Sequence, residues 1–349
     1  MTKILLTGIT GYIGGSVFCR LMKRPDFSSF DIRAIVRSPE KAEKLKSKFN
    51  VTPIIGSHSD IPFMTKACSE VDIVIATADC DDIQAAEGTL AGLKKRFEST
   101  GKKPILINTS GTGVLIDDAR GMYPGTTIYD DADPDQMESL PESQPHRPVD
   151  LKILVGDKEN YVRAYIILPC TIWNFATGPL FEAGISNPRS MQIPALARAS
   201  LDRGNGGMIG EGKNIWPNVE VHELAELYNL LLEAALSPAK SSTLGHGRTG
   251  YYFGATDEHK LFDIGKAIAE SLADLGKGKS TDPTTFTKEE IDKYFGGSSY
   301  LGSNSRCRAT QSRALGWDPK KGTKDMLSSI RREVEEEIKE GKNPATKRL

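Results

Sequence analysis

The segment Lys3-Ile-Leu-Leu-Thr7-Gly8-Ile-Thr-Gly11-Tyr-Ile-Gly14 sets three glycines at three-residue intervals between an apolar run and a stretch of helical spacing. In the second stretch Val17, Leu21 and Met22 share a face until Pro25 ends it. A strand, a glycine turn and a helix start in that order form a pocket for a pyrophosphate. Backbone N–H groups at the helix N-terminus bind the phosphates, and bare glycine lets them come close. Thr10, Tyr12 and Ile13 lie inside the turn, and Gly14 is expected to let the helix pack on its strand.

The chain after this turn alternates strand-like and helix-like stretches. Asp31–Arg37, Val51–Gly56, Val71–Ala78, Pro104–Thr109 and Tyr165–Leu168 read as further strands. Pro39–Phe49 and Ile83–Thr100 read as helices, the latter closed by Gly101. Val71–Ala78 is apolar throughout, as a strand covered on both faces must be. The expected fold is α/β, a Rossmann-type doubly wound parallel sheet over residues 1–172, completed by later segments such as 213–250. Residues 173–342 are expected to form a smaller, mainly substrate-binding α/β domain, and 343–349 a disordered tail. A long polar section between Gly111 and Arg147 is of a length usually functional or mobile. Late in the chain, Leu224, Leu227, Leu231 and Ala235 mark one amphipathic helix. Leu327, Ile330, Val334 and Ile338 mark another, whose charged face is expected to be solvated.

Among 349 residues, 45 Lys and Arg balance 46 Asp and Glu, so no bulk charge draws the chain to nucleic acid or an anionic membrane. A small-molecule partner is the expectation, with no nucleic acid and no membrane. Cys19, Cys68, Cys80, Cys170 and Cys307 are widely spaced, without a C-x-x-C pair or a nearby His cluster, so reduced thiols and no metal site are expected. Without a secretory leader or an apolar run near 20 residues, a cytoplasmic location is expected.

The adenosine ribose of a dinucleotide would lie at the end of the second strand. A carboxylate there selects NAD, and a cation accommodates the 2′-phosphate of NADP. This chain has Arg37, with Lys41 soon after, and Arg37 can donate a bidentate pair to phosphate. NADP is the expected cofactor, with NAD as the alternative.

The TGxxGxxG pattern at Thr7–Gly14, the two strand exits at Ala76-Thr77-Ala78 and Thr109-Ser110, and Leu168-Pro169-Cys-Thr171-Ile172 resemble the extended short-chain dehydrogenase/reductase superfamily. That superfamily includes epimerase/dehydratase-like enzymes and NmrA-like relatives. Trp216–Ala225 and Leu315-Gly-Trp-Asp-Pro319 are similar to its later segments, so the resemblance covers most of the chain. It implies that Ala76, Thr77, Ala78 and Thr109 pass the cofactor and that Pro169, Thr171 and Ile172 lie beside the nicotinamide. It also implies that Ser110 or Thr112 polarises a substrate carbonyl, and it allows a homodimer. The family's Tyr-x-x-x-Lys pair is missing, since none of the ten tyrosines has lysine four positions on. His146 and Asp150 stand where that pair would, with Pro148 between them, so they are expected at a helix start. A carboxylate at 150 could orient His146 for proton transfer; a loop tyrosine, Tyr123 or Tyr129, could carry the proton instead. The resemblance implies hydride transfer between NADP(H) and a small carbonyl, alcohol or sugar-like compound. Its relatives leave two alternatives: an NADP(H)-binding sensor without turnover, and an NAD-dependent epimerase.

Overall fold

The computed structural model describes residues 1–341, and the tail read as disordered at 343–349 lies outside them. Its centre is a seven-stranded parallel sheet. In chain order the strands are β1 (Thr2–Thr7), β2 (Phe30–Val36), β3 (Thr52–Ile55), β4 (Ile73–Ala76), β5 (Ile105–Thr109), β6 (Arg163–Pro169) and, past strands of smaller sheets, β9 (Tyr251–Gly254). Their spatial order is β9-β6-β5-β4-β1-β2-β3. The crossover at β1 places the ends of β1 and β4 side by side, with Thr7 opposite Ala76. Ligands of open α/β sheets bind at such a point.

The helices α1 (Tyr12–Leu21), α2 (Pro39–Phe49), α3 (Ile61–Ser69), α4 (Ile83–Thr100) and α5 (Arg147–Lys158) alternate with these strands. Local chemistry fixes their ends. The Ser38 and Asp82 side chains accept from the backbone N–H of Lys41 and Ala85, capping α2 and α4. Gly101 takes the left-handed conformation that ends α4. Ile4, Leu5 and Leu6 of β1 are fully buried, as a strand covered on both faces requires.

The strand that completes the large sheet lies at 251–254, just beyond the expected 213–250. That stretch supplies α7 (Val221–Leu236), which packs on α1. A second sheet joins β7 (Thr171–Trp173), β8 (Ile215–Glu220) and β10 (Asp257–Lys260). Beside it, α6 (Gln192–Arg203), α8 (Leu261–Asp274) and α9 (Thr323–Glu340) enclose a separate apolar cluster that includes Leu196, Ile268, Phe286 and Ile330.

Two acids on α9 depart from the expected solvated face. Glu333 and Glu337 are buried, and Arg189 reaches both, at 2.6 and 2.7 Å. Arg198 meets Glu337 at 2.9 Å. Helical spacing put these acids beside the apolar stripe, and an arginine pair from distant sequence helps make their burial tolerable.

The glycine turn has a packing reason of its own. A Cβ on Gly8 would lie 2.5 Å from the Thr77 carbonyl oxygen, and one on Gly14 would lie 2.3 Å from the Gly8 oxygen and 2.4 Å from Thr77 Oγ1. A Cβ on Gly11 would meet only the Gly8 oxygen, at 3.1 Å, with the rest of its surroundings open. Gly8 and Gly14 therefore serve the fold, and Gly11 borders free space. Gly14→Ala is expected to destabilise the protein by about 1–3 kcal/mol or more through backbone overpacking, whereas Gly11→Ala costs much less. Urea midpoints of the two variants check this order.

Candidate active site

Strand ends and helix starts bring the candidate residues to one edge of the sheet. Beyond β4, Thr77 donates its N–H to Thr7 Oγ1 at 3.2 Å and its hydroxyl to the Thr7 carbonyl at 2.7 Å. Ala78 leads from there to Cys80 and Asp81. Beyond β5, Thr109 Oγ1 donates to the Ala76 carbonyl at 2.7 Å and lies 2.7 Å from the Tyr228 hydroxyl. Pro169 ends β6 opposite Gly254, and Thr171 Oγ1 donates to Gln192 Oε1 at 2.8 Å. Ile172 is half-buried, packed beside Tyr12, whose hydroxyl donates to the Trp173 carbonyl at 3.0 Å. The carbonyl of Thr10 accepts from the Asn187 N–H at 3.0 Å, and Ile13 is half-buried at the start of α1.

His146 caps the start of α5 in the left-handed region, with φ +66°, and Pro148 occupies the first turn, where it is tolerated. Its Nδ1 lies 2.8 Å from Asp81 Oδ1 and 3.3 Å from Cys80 Sγ, and its backbone N–H donates to Asp81 Oδ1 at 3.1 Å. Burial alone would lower the imidazole pKa, but the bonds to Asp81 and Cys80 outweigh it and raise the value to about 10. Asp81 is shifted down in turn by its bond to His146.

The other ring nitrogen faces a glycine floor. A Cβ on Gly111 would lie 3.0 Å from His146 Nε2. One on Gly113 would lie 2.8 Å from Nε2 and 2.5 Å from the Tyr300 hydroxyl. Nε2 and that hydroxyl therefore both pack close against the Gly113 backbone, where no side chain fits. Tyr300 stacks edge-on against Trp216, with ring centroids 5.3 Å apart.

Asp150 does not orient His146. Its side chain is buried and accepts from Ser110 Oγ at 2.9 Å, and the carboxylate on the histidine is Asp81. The left-handed turn at 146 removes His146 from the helical register that would stack it over Asp150. Burial raises the Asp150 pKa to about 7, only partly opposed by the Ser110 bond, and Oδ1 has no hydrogen-bond partner. Ser110 and Thr112 are both buried, and Thr112 Oγ1 is also unpartnered. Neither Tyr123 nor Tyr129 enters the hydrogen bonds of this cluster among the described residues. Tyr123 is exposed, and Tyr129 pairs with Cys307 in a two-residue ladder. At the end of β2, Arg37 is exposed and Lys41 half-buried; neither forms a salt bridge among the described residues, and Lys41 adds to the effect of Lys44 in holding the Glu40 carboxyl below its usual range. An open groove of about 430 Å³ lies beyond β9, with Thr256, Arg308 and Arg313 in its lining.

Residues 1–91 match the model of the NmrA-like family. Over almost the whole chain the protein is similar to the oxidase UcsJ of an Acremonium species, at 25% identity across 91% of this chain and 92% of that one. It is similar to an uncharacterized protein of Schizosaccharomyces pombe at 27% identity, across 92% and 96%. Among solved structures, UDP-glucose 4-epimerase of Thermotoga maritima, with UDP-glucose, superposes with a TM-score of 0.64 at 16% identity, across 97% of this chain and 100% of that one. DesIV, a dTDP-glucose 4,6-dehydratase of Streptomyces venezuelae with NAD bound, also gives 0.64 at 16%, across 99% and 100%. The chain has the fold of the extended, atypical short-chain dehydrogenase/reductases. Tyr300 approaches His146 from a segment far away in sequence. No described helix is long and apolar enough to cross a membrane.

The raised pKa of Asp150 gives a signed prediction. A group that binds its proton more tightly folded than unfolded favours the fold at low pH, so its contribution falls as pH rises from about 4 through about 7. Asp150→Asn is expected to flatten that part of the stability curve, by a few kcal/mol at most. Urea midpoints from pH 4 to 8 for both proteins measure it, and parallel curves would contradict it.

Proposed function

We propose that the protein is a nicotinamide-dinucleotide-dependent oxidoreductase, preferring NADP(H), that transfers hydride to and from the carbonyl carbon of a small organic substrate. The observation that carries this reading is that His146 Nε2 and the Tyr300 hydroxyl both lie close to Gly113, two proton-bearing groups brought together from distant sequence. They sit at the sheet edge where the fold brings the ends of β4, β5 and β6 together. The open side of Gly11 and the start of α1, whose cap contributes no side-chain hydrogen bond, fit a dinucleotide pyrophosphate. Arg37 and Lys41, neither held in a salt bridge, fit the 2′-phosphate that distinguishes NADP.

When bound, the nicotinamide supplies or accepts the hydride. The chain's own groups handle the oxygen. Asp81 holds His146 by Nδ1, which turns Nε2 toward the glycine floor. A carbonyl oxygen approaching within hydrogen-bond reach of Nε2 and the Tyr300 hydroxyl would meet both donors together. As hydride arrives at carbon, the two hydrogen bonds strengthen on the developing alkoxide and one of them delivers its proton. Glycine at 111 and 113 lets the imidazole and the phenol approach the backbone this closely. Ser110 acts from below, fixing Asp150 rather than touching the substrate.

Three measurements test the reading. Gly11→Val is expected to weaken NADPH binding by more than about tenfold while circular dichroism stays that of the parent. Arg37→Ala is expected to weaken NADPH by roughly 10- to 100-fold and NADH hardly at all, since one charge-assisted phosphate contact is lost. Tyr300→Phe and His146→Phe are each expected to lower kcat for NADPH consumption by about 10²- to 10⁴-fold on any ketone or aldehyde the parent reduces. Saturable NADPH binding without turnover over a broad carbonyl panel would replace the oxidoreductase with a dinucleotide sensor.

A further inference from the structure

Cys80 and Asp81 leave the end of β4, and His146 begins α5 more than sixty residues later, so no sequence motif joins them. In the fold Cys80 Sγ, Asp81 Oδ1 and His146 Nδ1 all lie within 4.8 Å of one another. Both neighbours are aimed at the same ring nitrogen, at 3.3 and 2.8 Å. Nδ1 has one in-plane position, holding either a proton or a lone pair, so as a hydrogen-bonding atom it cannot serve thiol and carboxylate equally. A cation seated on that lone pair can satisfy all three. We propose that Cys80, Asp81 and His146 form a site for one divalent transition-metal ion of the zinc class.

The donor set selects the ion. One thiolate, one imidazole and one carboxylate suit zinc or cobalt, whereas magnesium and calcium require oxygen donors. Three protein ligands leave a fourth tetrahedral position for water. Ordinary zinc bond lengths in a tetrahedron put sulfur about 3.6 Å and carboxylate oxygen about 3.3 Å from the ligating nitrogen. The observed 3.3 and 2.8 Å therefore have to open by only a few tenths of an ångström. Asp81 is exposed and Cys80 half-buried, so an ion reaches them from solvent. On binding, the Cys80 thiol proton and any proton on Nδ1 are released, and the ring keeps its remaining proton on Nε2.

The ion would not touch the substrate, because it lies on the Nδ1 side and the glycine floor is on the Nε2 side. Its effect is to tie the β4 exit to the start of α5 and to fix Nε2 as the donor, as an outer partner does for a metal-bound histidine. The site goes beyond the hydride-transfer reading and does not depend on it.

The test is cobalt titration of the full chain after metal removal by chelator dialysis. The expected result is near-ultraviolet thiolate-to-cobalt absorption with tetrahedral visible bands, saturating at about one ion per chain and abolished by added zinc. Cys80→Ser is expected to lose the near-ultraviolet band, and Asp81→Asn to bind cobalt more than about tenfold more weakly. Circular dichroism of both variants confirms that they remain folded. No cobalt bands at a large excess of metal, or a thiolate band intact in Cys80→Ser, would overturn the proposal and leave an Asp81–His146 pair with a bystander thiol. Because NADPH is absent from this titration, its result is separate from the fate of the dinucleotide reading.

Discussion

The candidate site depends on how closely the first crossover approaches the end of the fourth strand. Thr77 is bound to Thr7 through both its N–H and its hydroxyl, and Gly8 and Gly14 lie so near it that no side chain fits at either position. This contact aligns β1 with β4 and sets the direction in which the chain leaves β4. Cys80 and Asp81 follow within four residues. The place of the histidine partner is therefore fixed by a packing contact around the glycines, well before any ligand is considered.

A second constraint closes the site from the other end of the chain. The long acidic section after β5 is pinned rather than loose. Asp117 accepts from the backbone and side-chain nitrogens of Asn304, and the Gly121 N–H donates to the Gly302 carbonyl at 2.6 Å. Asp131 is buried and accepts from the backbone N–H groups of Phe253, Gln311 and Ser312. These bonds satisfy buried backbone groups that a structureless loop would leave stranded. They also carry residues 300–313 across the edge of the sheet and so place Tyr300 opposite His146.

The sheet and its helices were legible because their signals are local. Pro39–Phe49 and Ile83–Thr100 appear with the bounds read for them, the latter closed by Gly101 as expected, since a cap acts within a few residues of the element it ends. The helix start at His146 followed from Pro148 in the same way. Contacts between distant segments left no local trace. Tyr300 has ordinary neighbours in sequence and meets His146 only through the pinned loop. Asp81 looks like any loop acid, so Asp150, one turn from the histidine, was the natural partner to expect. Burial of Glu333 and Glu337 was equally hidden, because Arg189 and Arg198 come from more than a hundred residues away.

The order of the large sheet also bears on how the chain is made. Six strands of the sheet lie within the first 169 residues, but β9, which covers the outer side of β6, is at Tyr251–Gly254. During synthesis the N-terminal portion can assemble while Arg163–Pro169, rich in isoleucine and leucine, still presents unpaired N–H and C=O groups. Such an edge is a template for pairing with another chain. About eighty further residues must leave the ribosome before it is covered, at rates of roughly 5–20 residues per second. For those seconds the nascent protein is most open to aggregation, and chaperone capture of the ribosome-bound intermediate would protect it there.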